Sequence, residues 1–368
     1  MTLRALACLA VLAFPAGQPA VTADGWASAS RDYRLRLPED HASHPAYRIE
    51  WWYYTGDLRA DGGRRFGYQV TFFRIGVDPS PVNPSIFAVR DLWMAHVAVT
   101  DVARSRHLSA ERLNRAGAGW AGASSDDLRV WNDDWRAWRQ DGRHHLRARD
   151  PRFAIELVAA EHGAPVLHGE AGYSQKGGAE GNASHYYSLT RMPTTGHVTI
   201  GGERFAVAGT SWMDHEFGTS FLEPHQQGWD WFSVQLSDGS DLMLFQLRGS
   251  DGRAGAHSSA TLAGAGRPPV RLGAGGFSMT PGRTWRSPDT AARYPVEWTI
   301  EVPQERLRLH VSPVADAQEV IGTRSGVSYW EGLIDVTGTR DGRPVGGSGY
   351  LEMTGYAGRA MGELIGPP

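Results

Sequence analysis

"EWWYYTGDLRADGGRRFGYQVTFFR", residues 50–74, and "DWFSVQLSDGSDLMLFQLR", residues 230–248, follow one plan. Each opens on a carboxylate beside a tryptophan, Glu50–Trp51 and Asp230–Trp231, and runs along a strand-like segment to an Asp-Gly turn. Each then returns on an apolar segment that ends in arginine. In the first copy Phe66, Tyr68, Val70 and Phe72 alternate with Gly67, Gln69 and Thr71, the period of a strand whose two faces differ. An Asp-Gly pair between two such segments is a hairpin signal. Two hairpins of one kind, about 180 residues apart, predict two β-domains in tandem.

The same alternation recurs outward from these hairpins. Residues 144–160 read as another hairpin turning at Asp150–Pro151, with Phe153, Ile155 and Leu157 on one face. Further strands are expected at 94–101, 197–201, 204–212, 229–237, 241–248, 296–302, 306–312, 329–338 and 346–354. Turn signals separate them at 60–63, 237–240, 250–252 and 340–344. Residues 126–138 fit either a helix or a turn between two aromatic strand ends. The expected class is all-β, with a few short helices at most. Sheets that close on themselves have no exposed edge, so about eight strands per domain imply two antiparallel barrels. The join is expected near "TRMPTTG", 190–196, giving an N-terminal barrel over 24–192 and a C-terminal barrel over 193–368.

The chain has 368 residues, with 37 Lys+Arg against 40 Asp+Glu and a net charge of −3, which excludes a nucleic-acid footprint. Fourteen Trp and 45 Gly suit β-structure with tight turns. At the N-terminus Arg4 precedes a short apolar run, Pro15 and small residues ending at Ala23. This pattern predicts a cleaved export signal over 1–23, hence a periplasmic or secreted protein. The run is too short to span a bilayer, so an integral membrane protein is not expected. Cys8 is the single cysteine, which leaves the mature chain with no disulfide, thiolate ligand or cysteine nucleophile.

"YRIEWWYYTGDL", "HVAVTDV", "VAGTSWMDHEFG", "GWDWFSVQLSDGSDLMLFQLR", "YWEGLIDVTG" and "GYLEMTGY" occur in this order between residues 47 and 356. Together they resemble the AttH/carotenoid 1,2-hydratase-like proteins, often labelled predicted secreted hydrolases. The resemblance implies two lipocalin-like (calycin) barrels. It also implies chemistry on apolar substrates: characterised relatives add water to an isolated C=C bond of acyclic carotenoids, and distant fungal relatives assist polyene cyclisation. The AttH branch is tied by gene neighbourhood to an ABC-type export system, which makes transporter components candidate partners.

Hydrating an unactivated alkene needs a proton donor in an apolar cavity and aromatic faces around the cation that forms. "TSWMDHEFG", 210–218, offers both. On a strand, Trp212, Asp214 and Glu216 share one face, and Met213, His215 and Phe217 the other. If the first face points into a barrel, two carboxyls stand roughly 7 Å apart beside a tryptophan, and repulsion raises one pKa. If the second does, His215 is the acid/base group. The same cluster also fits a hydrogen-bonded rim, or a metal site of Asp214, His215, Glu216 and His225, although neighbouring strand residues diverge and no HExxH is present. Asp230, between Trp229 and Trp231, reads either as a second acid or as the partner of a buried arginine. Glu50, with Trp52 on its face, is the matching acid of the first domain. His96 reads as a satisfied core or rim histidine, and Trp51, Trp52, Tyr329 and Trp330 as packing aromatics or cavity lining. No G-x-S-x-G elbow, P-loop or GxGxxG is present, so serine hydrolysis is unsupported and no cofactor is required. The expected activity is acid catalysis on a small apolar, polyene- or lipid-like substrate. The rival is a carrier that passes a lipophilic ligand to an envelope transporter.

Overall fold

Strand follows strand along almost the whole chain. The structure is a computed structural model in which residues 21–358 are described, apart from Ile86, Ser220, Phe221 and Pro224. Most of the expected export signal, with Cys8, lies outside the described residues. The repeat hairpin at the start forms β1 (Ile49–Ala60) and β2 (Arg65–Gly76). Next come β3 (Asp91–Asp101), β4 (Arg106–Arg115), β5 (Ala121–Ala123), β6 (Arg129–Asn132), β7 (Trp135–Gln140), β8 (Arg143–Asp150) and β9 (Phe153–Ala160). Two short pieces, β10 (Val166–Leu167) and β11 (Tyr173–Gln175), lead into the long strands β12 (Ala183–Ile200) and β13 (Glu203–Gly218). Residues 126–138 are therefore a hairpin and not a helix: Asp133 takes a left-handed φ of 53° in the turn between β6 and β7.

These strands make one 13-stranded antiparallel sheet, whose main path runs β4-β3-β2-β1-β13-β12-β9-β8-β7-β6-β5. It curls into a nearly closed barrel. Side chains close the seam: Asn114 of β4 donates to Asn132 of β6 at 2.7 Å, and Arg112 lies over the Trp135 ring. A register shift between Leu189 and Met192 bends β12, so that its first half pairs with β10 and β11 and its second half with β9. The interior is filled by alternate side chains, among them Trp52, Tyr54, Tyr68, Val70, Ile155, Leu157 and Met213.

The second repeat hairpin is β14 (Gln226–Leu236) and β15 (Ser240–Gly249). It continues through β16 (Ser259–Gly264), β17 (Arg267–Gly273), β18 (Ser278–Pro281), the separate hairpin β19 (Thr284–Arg286) and β20 (Arg293–Pro295), β21 (Trp298–Val302) and β22 (Leu307–Pro313). The last strands are β23 (Glu319–Ile321), β24 (Val327–Arg340) and β25 (Arg343–Gly358). Ten of them form a half-barrel sheet with the main order β17-β16-β15-β14-β25-β24-β22-β21-β18. Its concave side holds Phe232, Val234, Leu244, Trp298, Ile334 and Leu351.

The chain changes sheet after β13, not at Pro193. The expected join at 190–196 falls inside β12, and β13 is the partner of β1. Pro193 and Gly196 interrupt the strand pattern only locally, because they sit just beyond the bend. The two sheets then pack on each other through faces that belong to neither barrel interior. Tyr53, Tyr186 and Trp212 of the first meet Trp231, Phe245, Leu333 and Tyr350 of the second in one buried cluster. Phe73, Met94 and Ala98 meet Val320, Val327 and Tyr329 in another. Gly67 makes the approach possible: a Cβ there would stand 2.6 Å from Tyr350 Oη and 2.8 Å from Leu333 Cβ.

Candidate active site

β13 lies between β1 and β12, with Tyr53 and Ser188 opposite Asp214, and Trp51 and Tyr186 opposite Glu216. Alternation sends Met213 and His215 into the first barrel and Trp212, Asp214 and Glu216 outward. The outward face is nevertheless buried, because the second sheet covers it. Between the sheets lies a cavity of about 930 Å³, counting its open mouth. Trp51, Tyr53, Phe73, Tyr186, Asp214, Glu216, Trp229, Trp231, Phe245, Leu247 and Glu352 line it, with Lys176. The carboxylate face thus reaches a cavity, but one between the barrels and not inside either.

Asp214 is 3% exposed. Trp212 Nε1 donates to its Oδ1 at 2.6 Å, Tyr186 Oη to its Oδ2 at 2.5 Å, and Ser188 Oγ also donates to it. Trp231 Nε1 in turn donates to Tyr186 Oη at 3.0 Å. Burial raises the carboxyl to about 7; the three donors oppose the rise, and the neighbouring Glu216 adds to it. Glu216 itself pairs with Lys176 Nζ at 2.9 Å and accepts from Ser184. The Lys176 ammonium stands 4.3 Å from the centre of the Phe245 ring.

The second sheet brings two more acids. Glu352 accepts from Trp229 Nε1 at 2.9 Å, and burial raises it to about 7, with Asp214 and Glu216 adding repulsion. Glu331 is the direct cross-strand neighbour of Glu352, and its Oε1 accepts from Tyr53 Oη at 2.6 Å. Its Oε2 is buried without a hydrogen bond, and burial together with Glu352 holds its pKa well above the usual carboxylate range. Repulsion from Glu352 thus adds to burial in keeping a proton on Glu331.

The other predicted residues lie elsewhere. Asp230 shares the concave face of the second sheet, where Arg248 Nη1 and Gln246 Nε2 each donate to it at 2.8 Å and Tyr356 Oη at 3.0 Å. It is the partner of a buried arginine; alternation turns Trp229 and Trp231 into the cavity and Asp230 away from it. Glu50 and Trp52 point into the first barrel with His215. Glu50 Oε1 is 3.1 Å from His215 Nε2, and its carboxylate also accepts from Ser43, His44 and Arg74. His215 and Arg74 among these partners hold it well below its usual pKa in spite of burial. Trp52 donates to His41 O and stacks on His215. The proposed metal set does not converge: Asp214 and His215 face opposite ways, and the side chain of His225 is 68% exposed. His96 is satisfied, with Tyr329 Oη at 2.8 Å and Glu111 Oε1 at 3.3 Å. Trp51 and Trp229 line the cavity, whereas Trp330 packs in the second core. Sequence alone does not single out Tyr53, Lys176, Tyr186 or Glu352, nor the role of Glu331. A lone glutamate within the alternating 346–354 segment was the available signal for Glu352.

The family model described as AttH-like matches residues 28–356. The solved structure of an AttH protein from Nitrosomonas europaea is 36% identical, with a TM-score of 0.80 over 88% of this chain and 98% of that one. The structure of kievitone hydratase from Nectria haematococca has the same fold, with a TM-score of 0.68 at 16% identity over 94% and 98% of the two chains. Among curated proteins, "Dehydratase asqC" of Emericella nidulans is 23% identical over 240 residues, 61% of this chain and 63% of that protein's length. "Kievitone hydratase" of Fusarium solani subsp. phaseoli is 22% identical over 250 residues, 64% and 67% of the two lengths.

Proposed function

The chain belongs to the AttH-like family, and from that membership and the cavity's geometry we propose that it adds water to, or removes it from, an apolar unsaturated substrate held between the sheets. Asp214 supports the reading most directly: its buried carboxyl, raised to about 7, keeps a proton near neutral pH at the wall of an aromatic cavity. In the forward direction that proton goes to one alkene carbon, and the adjacent carbon becomes cationic. Trp51, Trp229, Trp231 and Phe245 turn π-faces or edges to the same space, and ring quadrupoles favour such a cation. Water attacks the cation and gives up a proton to an ionised carboxylate of the wall, for which Glu352 is the candidate base. The reverse sequence is a dehydration. The hydratase and dehydratase names of the fungal relatives agree with this class of step. We place the protein outside the cytoplasm, on the strength of the export signal read in its first 23 residues.

Acyclic polyenes offered in heavy-oxygen water test the reading by mass spectrometry of the extracted products. The expected result is an alcohol carrying one heavy oxygen, formed by the natural chain and not by Asp214→Asn. Ligand that is retained unchanged by both proteins would instead favour the carrier, and with it delivery to a transporter.

A further inference from the structure

Away from the cavity, at the end of the first barrel, two histidines and a glutamate converge. His41 ends the short 3-10 helix Glu39–His41, His144 lies on β8, and Glu161 follows β9. His144 Nε2 is 3.1 Å from Glu161 Oε1, and His41 Nε2 is 3.6 Å from the same oxygen. All three ligand atoms lie within 4.8 Å of one another. Both other ring nitrogens have tyrosine hydroxyls behind them: His41 Nδ1 has Tyr187 Oη at 2.6 Å, and His144 Nδ1 has Tyr54 Oη at 2.9 Å. His215 donates Nε2–H to Glu50, so its Nδ1 is an acceptor 3.1 Å from the Tyr187 hydroxyl, with Asp40 O at 3.2 Å; with its one proton turned to either of these, the Tyr187 oxygen accepts from His41 Nδ1–H. The lone pair of His41 Nε2 then faces a carboxylate oxygen at a distance too long for a hydrogen bond. Two acceptors facing each other across such a gap are what a cation would bridge.

We propose that His41, His144 and Glu161 form a binding site for a divalent transition-metal ion of the Zn²⁺ class. Two imidazoles and one carboxylate are a known zinc ligand set, and they disfavour Mg²⁺ and Ca²⁺, which take oxygen ligands. Outer hydrogen bonds that fix the ring tautomers, as the two tyrosines do here, are a regular companion of such ligands. Entry is open from the Glu161 side, whose side chain is 27% exposed while both histidines are buried. Arg139 and, through it, Asp127 are the other charged groups at the site; Arg139 donates at 2.5 Å to Glu161 Oε1, the oxygen that the histidines face. The second cluster of this kind among the described residues, His44, Glu50 and His215, is a poorer candidate because Glu50 already serves Ser43, His44, Arg74 and His215. A bound ion would tie the segment before β1 to β8 and β9 and so close the barrel's end.

Equilibrium dialysis of the chelator-treated full chain against Zn²⁺ alone tests this, with Co²⁺ as a spectroscopic probe. The expected result is one ion per chain, a raised melting temperature with Zn²⁺, and four- or five-coordinate Co²⁺ bands. Glu161→Gln, at the exposed edge, should fold and bind at least tenfold more weakly; His144→Ala should lose the melting shift. His225→Ala serves as the surface control and should bind like the natural chain. Absence of Zn²⁺ binding at micromolar concentrations, or binding undiminished in both site variants, would overturn the proposal.

Discussion

Asp214 and Asp230 are both buried aspartates beside tryptophan, yet the structure gives them different surroundings. Asp214 has only neutral donors around it, so burial prevails and its pKa rises from 3.8 to about 7. A carboxyl that binds its proton more tightly when folded leaves stability unchanged at pH below its unfolded value. It lowers stability as the pH climbs from about 4 through 7. Asp214→Asn should therefore gain stability relative to the natural chain between pH 5 and pH 8, by at most roughly 3 kcal/mol, in urea melts at the two pH values. The same variant should lose about 10²- to 10⁴-fold of any hydration rate, the usual worth of a positioned acid. Activity of the natural chain should peak near pH 7, falling above it as Asp214 gives up its proton and below it as Glu352 takes one up. Asp230→Asn, by contrast, strands the Arg248 guanidinium at 8% exposure. It should cost about 3–5 kcal/mol in a denaturant melt while turnover per folded molecule stays the same. The sequence could rank both residues as buried acids. It could not tell them apart, because the arginine that decides the matter comes from the neighbouring strand β15.

At the level of strands, alternation told which residues share a face but not what covers each face. The 210–218 segment shows this. Both of its faces are buried, the His215 face by the barrel interior and the Asp214 face by the second sheet. The choice between an inward carboxylate and an inward histidine was therefore not a choice the molecule had to make. The hairpins at 50–74 and 144–160 were legible because their turns and alternation agree. The join was not, because nothing local to β12 records that β13 pairs back with β1, more than a hundred residues earlier. Gly67 carries a prediction at this scale. A methyl there must displace Tyr350 or the Leu333 side chain across the sheet-to-sheet contact. Gly67→Ala should destabilise by about 1–3 kcal/mol, the usual cost of overpacking, and loosen ligand retention in the cavity. Unaltered melting would show that the two sheets do not touch there.

Over the whole molecule, the covered faces are what turn two sheets into one machine. Cross-sheet contacts run the length of the junction, from Arg65–Asp335 at 2.8 Å through Tyr53–Glu331 at 2.6 Å to His168–Thr261 at 3.0 Å. Since the aromatic clusters at the junction are shared, neither sheet buries its outer face alone, and calorimetry should record one cooperative transition for both. Two resolved transitions would contradict a shared core. The family resemblance read from the sequence predicted the two β-units. The cavity between them needed the three-dimensional packing, for its acids come from β13 and β25. No helix among the described residues is long and apolar enough to cross a membrane.

The proposed chemistry stands on a proton held by Asp214 near neutral pH. Infrared difference spectra of the carboxyl C=O stretch, taken across a pH titration of the natural chain and of Asp214→Asn, observe that proton without any need to know the substrate. A band lost in the variant and titrating at about 7 is the expected result. A band titrating near the ordinary value of 3.8 would mean that Asp214 is ionised under working conditions, and the proton donor would have to be sought elsewhere.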